Sequence, residues 1–246
     1  MAHIFDSDKD IGFCGHTWPL EADVDLDVYR KRIAAYLTKA VREAKEHSNW
    51  ININVDYETA LADFIAALLA PGDKNLFLAD FIPFAQRIAQ HGLLNSLALT
   101  LLKLTAPGVP DIYQGCELWQ FNLVDPDNRQ PIYYGLRQRL LDKLDGFDPA
   151  SPLADPRHKL ALIQRTLALR AEWPELFRDG DYVPLAVLGE HANHLCAYAR
   201  RLGDHAVIAI VPRLTVKLLG AVGERVSLPL DRALADLPLA LLVADQ

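Results

Sequence analysis

Cysteine is scarce and unpatterned in this 246-residue chain: Cys14, Cys116 and Cys196 are its three cysteines. An odd count with no C-x-x-C spacing argues against a disulfide framework and a structural zinc site, and a reducing cytoplasm is the expected setting. Positive charge is also short. Lys and Arg number 25 against 32 Asp and Glu, a net charge of -7, which argues against a nucleic-acid partner because phosphate backbones are held by clustered cations. Long apolar runs are missing: no stretch approaches the roughly 18 uncharged apolar residues of a membrane span, and no apolar run follows N-terminal positive charges. The expectation is a soluble chain with no membrane partner and no secretory signal. Apolar residues as such are plentiful, at 51% with 23% charged, enough for one or two globular domains and too many for disorder.

The chain is organised around residues 104–131, LTAPGVPDIYQGCELWQFNLVDPDNRQP. An apolar helical run ending at Leu104 meets a Pro-Gly break. A short buried-strand pattern follows (Val109, Ile112, Tyr113), then Gly115 and polar residues that cannot continue a strand. Glu117 offers a carboxylate, and Trp119 and Phe121 offer flat faces. Asp125, Asp127, Asn128 and Arg129 form a dense cluster of donors and acceptors. Flat faces beside carboxylates and a guanidinium suit a sugar, whose ring presents both apolar C–H groups and hydroxyls. The alternative for Asp125, Asp127 and Arg129 is a structural, salt-bridged turn, since Asp-Pro and Asp-Asn both favour turns.

Asp25 opens a helical pattern that is expected to run to about His47, with Val28, Ile33, Tyr36, Leu37, Ala40, Val41 and Ala44 apolar. Its tail carries Arg42, Lys45, His47 and Trp50. These read equally as a solvated helix end in which the cations face the C-terminal dipole. Further helices are expected near residues 55–70 and 76–105, the second interrupted around Pro83 and His91-Gly92, with Phe64, Ile65, Leu68, Leu69, Leu97, Leu101 and Leu104 as core. Helices over 132–144 and from Arg157 to Arg170 follow. Short β-type runs then stand at 183–188, 195–199, 206–211 and 226–230. His191, His194 and Cys196 have a metal-like spacing, but no second cluster completes four ligands, so no metal is expected.

The segment GVPDIYQGCELW followed by LVDPDNRQP resembles the α-amylase clan of glycoside hydrolases and, within it, the maltooligosyltrehalose synthase family. The resemblance extends to YLTKAVREAKEHSNW (36–50), FLADFIPFAQRI (77–88) and LALRAEWPELFRDGDYVPL (167–185), and covers roughly residues 14–215. It matches only the C-terminal part of such a synthase. Residues 1–13 do not fit the family pattern. The fold class it implies is α+β: a mainly helical remnant of the last β/α part of a (β/α)8 barrel over residues 14–178, including the eighth strand and eighth helix. A small antiparallel β domain is expected over 179–246.

The resemblance also implies a function. The family converts the reducing-end α-1,4 linkage of a maltooligosaccharide to an α,α-1,1 linkage by intramolecular transglucosylation, without a cofactor. The clan's catalytic carboxylates stand at the ends of strands that precede this segment, and none of its other motifs occurs before Val109. No catalytic residue is therefore expected here, and the chain alone is expected to be inactive. Lys45, His47, Trp50, Glu117, Asp125, Asp127, Asn128 and Arg129 are the expected substrate-binding residues. Expected partners are a maltooligosaccharide or glycogen-derived glucan and the missing N-terminal barrel half, with a homodimer as another possibility. Two other readings stay open: a non-catalytic maltooligosaccharide-binding module, and a fragment of another amylase-clan transglycosylase.

Overall fold

The computed structural model describes residues 17–20, 24–219 and 240–244. The expected β run at 226–230, Cys14 and the unmatched residues 1–13 lie outside the described residues. Two compact units divide the chain: residues 1–89 with 121–131, and residues 90–120 with 132–246.

In the first unit, helix α1 (Leu26–Ala44) starts where the Asp25 carboxylate accepts hydrogen bonds from the amides of Asp27 and Val28, both at 3.0 Å. That satisfies two of the donors a helix start leaves free. It stops at Lys45, which takes the left-handed conformation at φ 60°. Helix α2 (Val55–Leu68) is capped in the same manner by Asn54, which accepts from the Tyr57 amide at 3.1 Å. Asn75 then serves two helices. Its amide group donates to the carbonyls of Leu68 and Ala70 at 2.9 and 2.8 Å, and its oxygen accepts from the Leu78 amide at 3.1 Å. The core joins Trp18, Tyr29 and Ile33 to Leu61, Ile65, Leu69, Phe81 and Leu123. The inward face of α1 is set by Tyr29 and Ile33, whereas Val28, expected among the apolar positions, is 53% exposed.

Helix α3 (Leu76–Thr105) is a single helix of 30 residues, so the expected interruptions do not occur. Pro83 lies on an exposed position between the buried Phe81 and Ala85. Its missing N–H removes one helical bond there, while burial on the neighbouring face is kept. Residues 76–89 of α3 belong to the first unit and residues 90–105 to the second.

The second unit continues with α4 (Tyr134–Leu141), α5 (Arg157–Glu172) and α6 (Pro174–Asp179). A four-stranded antiparallel sheet follows, in the order β1 (Asp181–Pro184), β2 (Leu195–Leu202), β3 (His205–Pro212), β4 (Ala240–Ala244). A short helix α7 (Thr215–Leu219) follows β3. The β2–β3 hairpin pairs Leu202 with His205 and turns through Gly203, whose φ of +61° suits a residue without a side chain. Leu97, Ala98 and Leu101 of α3 form a buried cluster with Val211 of β3. The Tyr198 hydroxyl of β2 lies 2.6 Å from that of Thr105.

Arg200 of β2, 1% exposed, is held by carbonyls alone. Its guanidinium donates to Phe177 at 3.0 Å and to Gly180 at 2.7 Å, with a longer bond to Thr105. These include carbonyls that the ends of α3 and α6 leave free. The architecture is thus α+β. Residues 109–113, expected as a strand, make no ladder among the described residues, and Val109 is 96% exposed. A strand is stabilised by its neighbours, and none of the four strands lies beside this segment.

Candidate functional site

In the first unit two loops carry seven of the eight expected site residues, and α1 holds both. The nearer loop, residues 45–54, leaves the end of α1 at Lys45. Ser48 is its buried anchor. Its hydroxyl donates to Glu58 Oε1 at 2.6 Å and accepts from the Asn54 amide at 3.1 Å. Asn49 closes the loop on itself by accepting from the amides of Ile51 and Asn52 at 3.0 and 2.7 Å, a local turn of the kind Asn side chains favour. His47 lies against the Tyr57 ring with centroids 4.8 Å apart. Trp50 is 56% exposed. An open depression of about 610 Å³ is lined by Glu46, His47, Ser48, Asn49, Asn52 and Asn54 among others. Lys45 and Trp50 are exposed and do not line it.

Arg42, in the last turn of α1, is the organising cation of this loop. Its Nε and Nη2 donate to Glu58 Oε1 and Oε2 at 2.8 and 2.7 Å. Its guanidinium carbon stands 5.0 Å from the centre of the Trp50 ring. Hydrogen bonds from Arg42 and then Ser48 hold the Glu58 carboxyl down at about 2, and Glu58 in turn raises Arg42 above its ordinary value.

The farther loop, residues 121–131, is held by Arg32 and Lys39. Arg32 donates to both oxygens of Asp127 at 3.0 and 2.9 Å and to the Phe121 carbonyl at 2.7 Å. Asp127 also accepts from the Leu123 amide at 2.7 Å. Burial pushes the Asp127 carboxyl up, but the Arg32 hydrogen bonds, the Leu123 amide and the Arg32 charge outweigh it, leaving the group below its ordinary value. Lys39 donates to the Asp125 carbonyl at 2.6 Å, with its ammonium 3.5 Å from the carboxylate. Arg129 pairs with Asp125 at 2.5 Å and is 68% exposed along its side chain. The side-chain oxygen of Asn128 is buried without a hydrogen-bond partner.

The eighth residue, Glu117, lies in the second unit. Its carboxylate accepts from Arg137 Nε at 3.2 Å, and the same guanidinium donates to the Gly115 carbonyl at 2.9 Å. Gly115 has φ +89°, and an added Cβ would stand 2.6 Å from Ile132 Cδ1, so only glycine fits this turn. Lys159 of α5, 9% exposed, places its ammonium 5.9 Å from the centre of the Trp119 ring, and burial lowers its pKa. No group of three or more His, Cys, Asp or Glu side chains converges as a metal site among the described residues.

Sequence reasoning missed Arg32, Lys39, Arg42, Ser48, Glu58, Arg137 and Lys159. Only a weak signal was available for the first three: positions 32, 39 and 42 project from one side of a helix. Their partners stand as far as 95 residues away, and local patterns do not encode such pairs.

No family model matches the chain. Curated relatives do: proteins from two strains of Mycobacterium tuberculosis described as maltooligosyl trehalose synthases are 33% identical over 93% of this chain and 30% of their own length. Among solved structures, the maltooligosyltrehalose synthase of Arthrobacter ramosus superposes with a TM-score of 0.77 at 32% identity, covering 96% of this chain and 32% of that one. A further maltooligosyl trehalose synthase structure matches with a TM-score of 0.69 at 29% identity, over 82% of this chain and 26% of that one. The chain is thus similar, over nearly all of its own length, to a C-terminal portion of maltooligosyltrehalose synthases, and it spans about 30% of the length of the curated relatives it matches.

Proposed function

We propose that this chain is the substrate-positioning portion of a maltooligosyltrehalose synthase, an isomerase of trehalose biosynthesis. In that reading the reducing-end α-1,4 linkage of a maltooligosaccharide is broken by carboxylates supplied by an upstream portion. The freed glucose is held and turned, and its anomeric hydroxyl then closes an α,α-1,1 bond. Retaining and orienting that glucose while excluding water is the task that polar groups on fixed loops perform. The observation that carries the reading is the 45–54 loop, which belongs to the matched segment. It presents Trp50 as an exposed flat face, and the same loop carries a depression lined by His47 and asparagines.

Lys45, His47 and Trp50 are the proposed contacts of the first loop, and Asn128 and Arg129 those of the second. Arg129 is the more available cation there. Asp125 and Asp127 contribute chiefly by shaping the second loop, since both carboxylates face cations of the same unit. Glu117, tied to Arg137, is proposed to fix the turn at Gly115 and to border the glucan.

The exposed residues 109–113, in this reading, are the eighth strand of a (β/α)8 barrel. Their partner is the upstream portion of the synthase, which supplies the sheet they lack and the catalytic carboxylates. The chain alone is then inactive, and its setting is the cytoplasm.

The test is activity on maltopentaose, read as loss of reducing ends, for the chain alone and with the upstream portion of the Arthrobacter synthase expressed separately. Loss of reducing ends only with both polypeptides is the expected result. Activity of the chain alone would overturn the inactive-fragment reading and direct mutagenesis to Asp111, Glu117, Asp125 and Asp127. Maltopentaose binding without turnover in either arm would favour a binding module.

A further inference from the structure

Arg42 uses its guanidinium in two directions at once. Its Nε and Nη2 make the two-point bond to Glu58 at 2.8 and 2.7 Å, and its central carbon lies over the Trp50 ring, 5.0 Å from the ring centre. Glu58 belongs to the first turn of α2, where the helix dipole favours a carboxylate, and its side chain is only 13% exposed. Ser48 completes the arrangement by donating to the same carboxylate at 2.6 Å. The loop that carries Trp50 is thus fastened from both sides: through Ser48 to α2, and through the indole to α1. The ring has the cation on one side and remains 56% exposed.

An exposed tryptophan on an irregular loop would ordinarily sample several rotamers and lose that freedom on binding a ligand. Here the ring is held before any ligand arrives. We propose that Arg42, Glu58 and Ser48 form a clamp that presets Trp50 as the stacking face for a glucosyl ring. Arg42 is a positioning residue acting through the indole. This deepens the reading of Trp50 as a glucan contact and rests on it. Only arginine suits the position. Lysine keeps the charge but cannot bond a carboxylate at two points while laying a flat cation on a ring.

The test uses the full chain labelled with 5-fluorotryptophan. Its four tryptophans give separable fluorine resonances, and Trp50→Phe assigns the one of interest. Maltopentaose is titrated into the parent, Arg42→Lys and Glu58→Gln, with far-UV circular dichroism and thermal melting followed in parallel. Maltopentaose should shift the Trp50 resonance in the parent. Both variants should bind about three- to tenfold more weakly, with a displaced or broadened Trp50 line before sugar is added and a retained fold. If the parent responds to sugar and both variants bind as tightly as it does, the clamp is overturned and the stacking role stands. If the parent Trp50 line ignores maltopentaose, the stacking reading falls. The clamp is then judged on the sugar-free line, supported by a displaced line in Arg42→Lys and overturned by an unchanged one.

Discussion

Removing the charge of Arg32 should loosen the 121–131 loop before it unfolds the first unit. Arg32 and Asp127 meet at 2.9 Å with side chains 24% and 11% exposed. At that distance the bare attraction is about 6 kcal/mol for an effective dielectric of ~20, and desolvation of both ions opposes much of it. Deleting one member of a buried pair costs about 3–5 kcal/mol, because the other charge is stranded. Residual exposure lets water reach Asp127, so Arg32→Met should destabilise the unit by about 2–3 kcal/mol. Asp127→Asn keeps an acceptor for the Leu123 amide, so it should cost less, about 1–2 kcal/mol. The double variant should fall short of the sum by about 1–2 kcal/mol, the signature of direct coupling.

Urea unfolding gives the energies, and amide exchange at Leu123, whose N–H is held by Asp127 at 2.7 Å, reports the loop itself. The pH dependence has a definite sign. A carboxyl held below its ordinary value stabilises the fold above the unfolded pKa, near 3.9 for Asp, and the contribution disappears as pH falls through the lower folded value. A change under about 0.5 kcal/mol in Arg32→Met, with Leu123 exchange unaltered, would refute the assignment of Arg32 as the anchor of this loop.

Three further outcomes follow from the same reasoning. The Glu58 carboxyl, held at about 2, should keep the Arg42 bond through mild acid and release it only as pH falls through that value, the stabilisation being complete above the ordinary Glu range; carbon-13 NMR of the labelled carboxyl reads this, and a midpoint above 4 would contradict it. Gly115→Ala should cost about 1–3 kcal/mol in urea unfolding, from a backbone at φ +89° and an atom pressed to 2.6 Å from Ile132; an unchanged midpoint would show that the turn relaxes freely. Pro83→Ala restores a donor to the interior of α3 and should stabilise the chain by about 1–2 kcal/mol in the same assay, less than the full cost of a helical proline because proline also restricts the unfolded chain; a loss of stability would mean that the ring packs usefully.

What was legible in the sequence was what is written locally. Asp25 marks the start of α1, the Pro-Gly break after Ala106 falls outside a helix, and the expected β runs at 183–188, 195–199 and 206–211 overlap β1, β2 and β3 of an antiparallel sheet, whereas β4 was not expected. The continuity of α3 was not legible. A proline and a glycine are strong local stop signals, and their effect was overridden by apolar residues such as Phe81, Ala85, Leu93 and Leu97, which are buried along the helix. Residues 109–113 have the composition of a strand, yet a strand exists only where another pairs with it, and composition does not say who the neighbour is. The candidate site divides in the same manner. The residue types that suit a sugar could be picked out, but Arg42 looked like a solvated helix end. Its role depends on Glu58 and Trp50 being brought to it by the turn at 45–54.

The two loops of the first unit share a logic that follows from how little regular structure they have, a single 3-10 turn at Asp127–Arg129. Neither can fix its geometry through a ladder of backbone bonds, so each borrows rigidity from α1 through a guanidinium: Arg32 for residues 121–131 and Arg42 for residues 45–54. Ten helical positions separate the two arginines, about 15 Å along the axis. The helix therefore acts as a ruler that sets where each loop begins to offer its polar groups. Guanidinium forks suit this use because each fixes a direction as well as a distance. A lysine such as Lys39 gathers a carbonyl and a carboxylate without dictating their orientation. On this argument Arg32→Lys and Arg42→Lys preserve charge and still disturb the loops. Under the proposed function, the groups that would touch the glucan and the groups that would make such contact reproducible are different residues, and the second set lies largely on one helix.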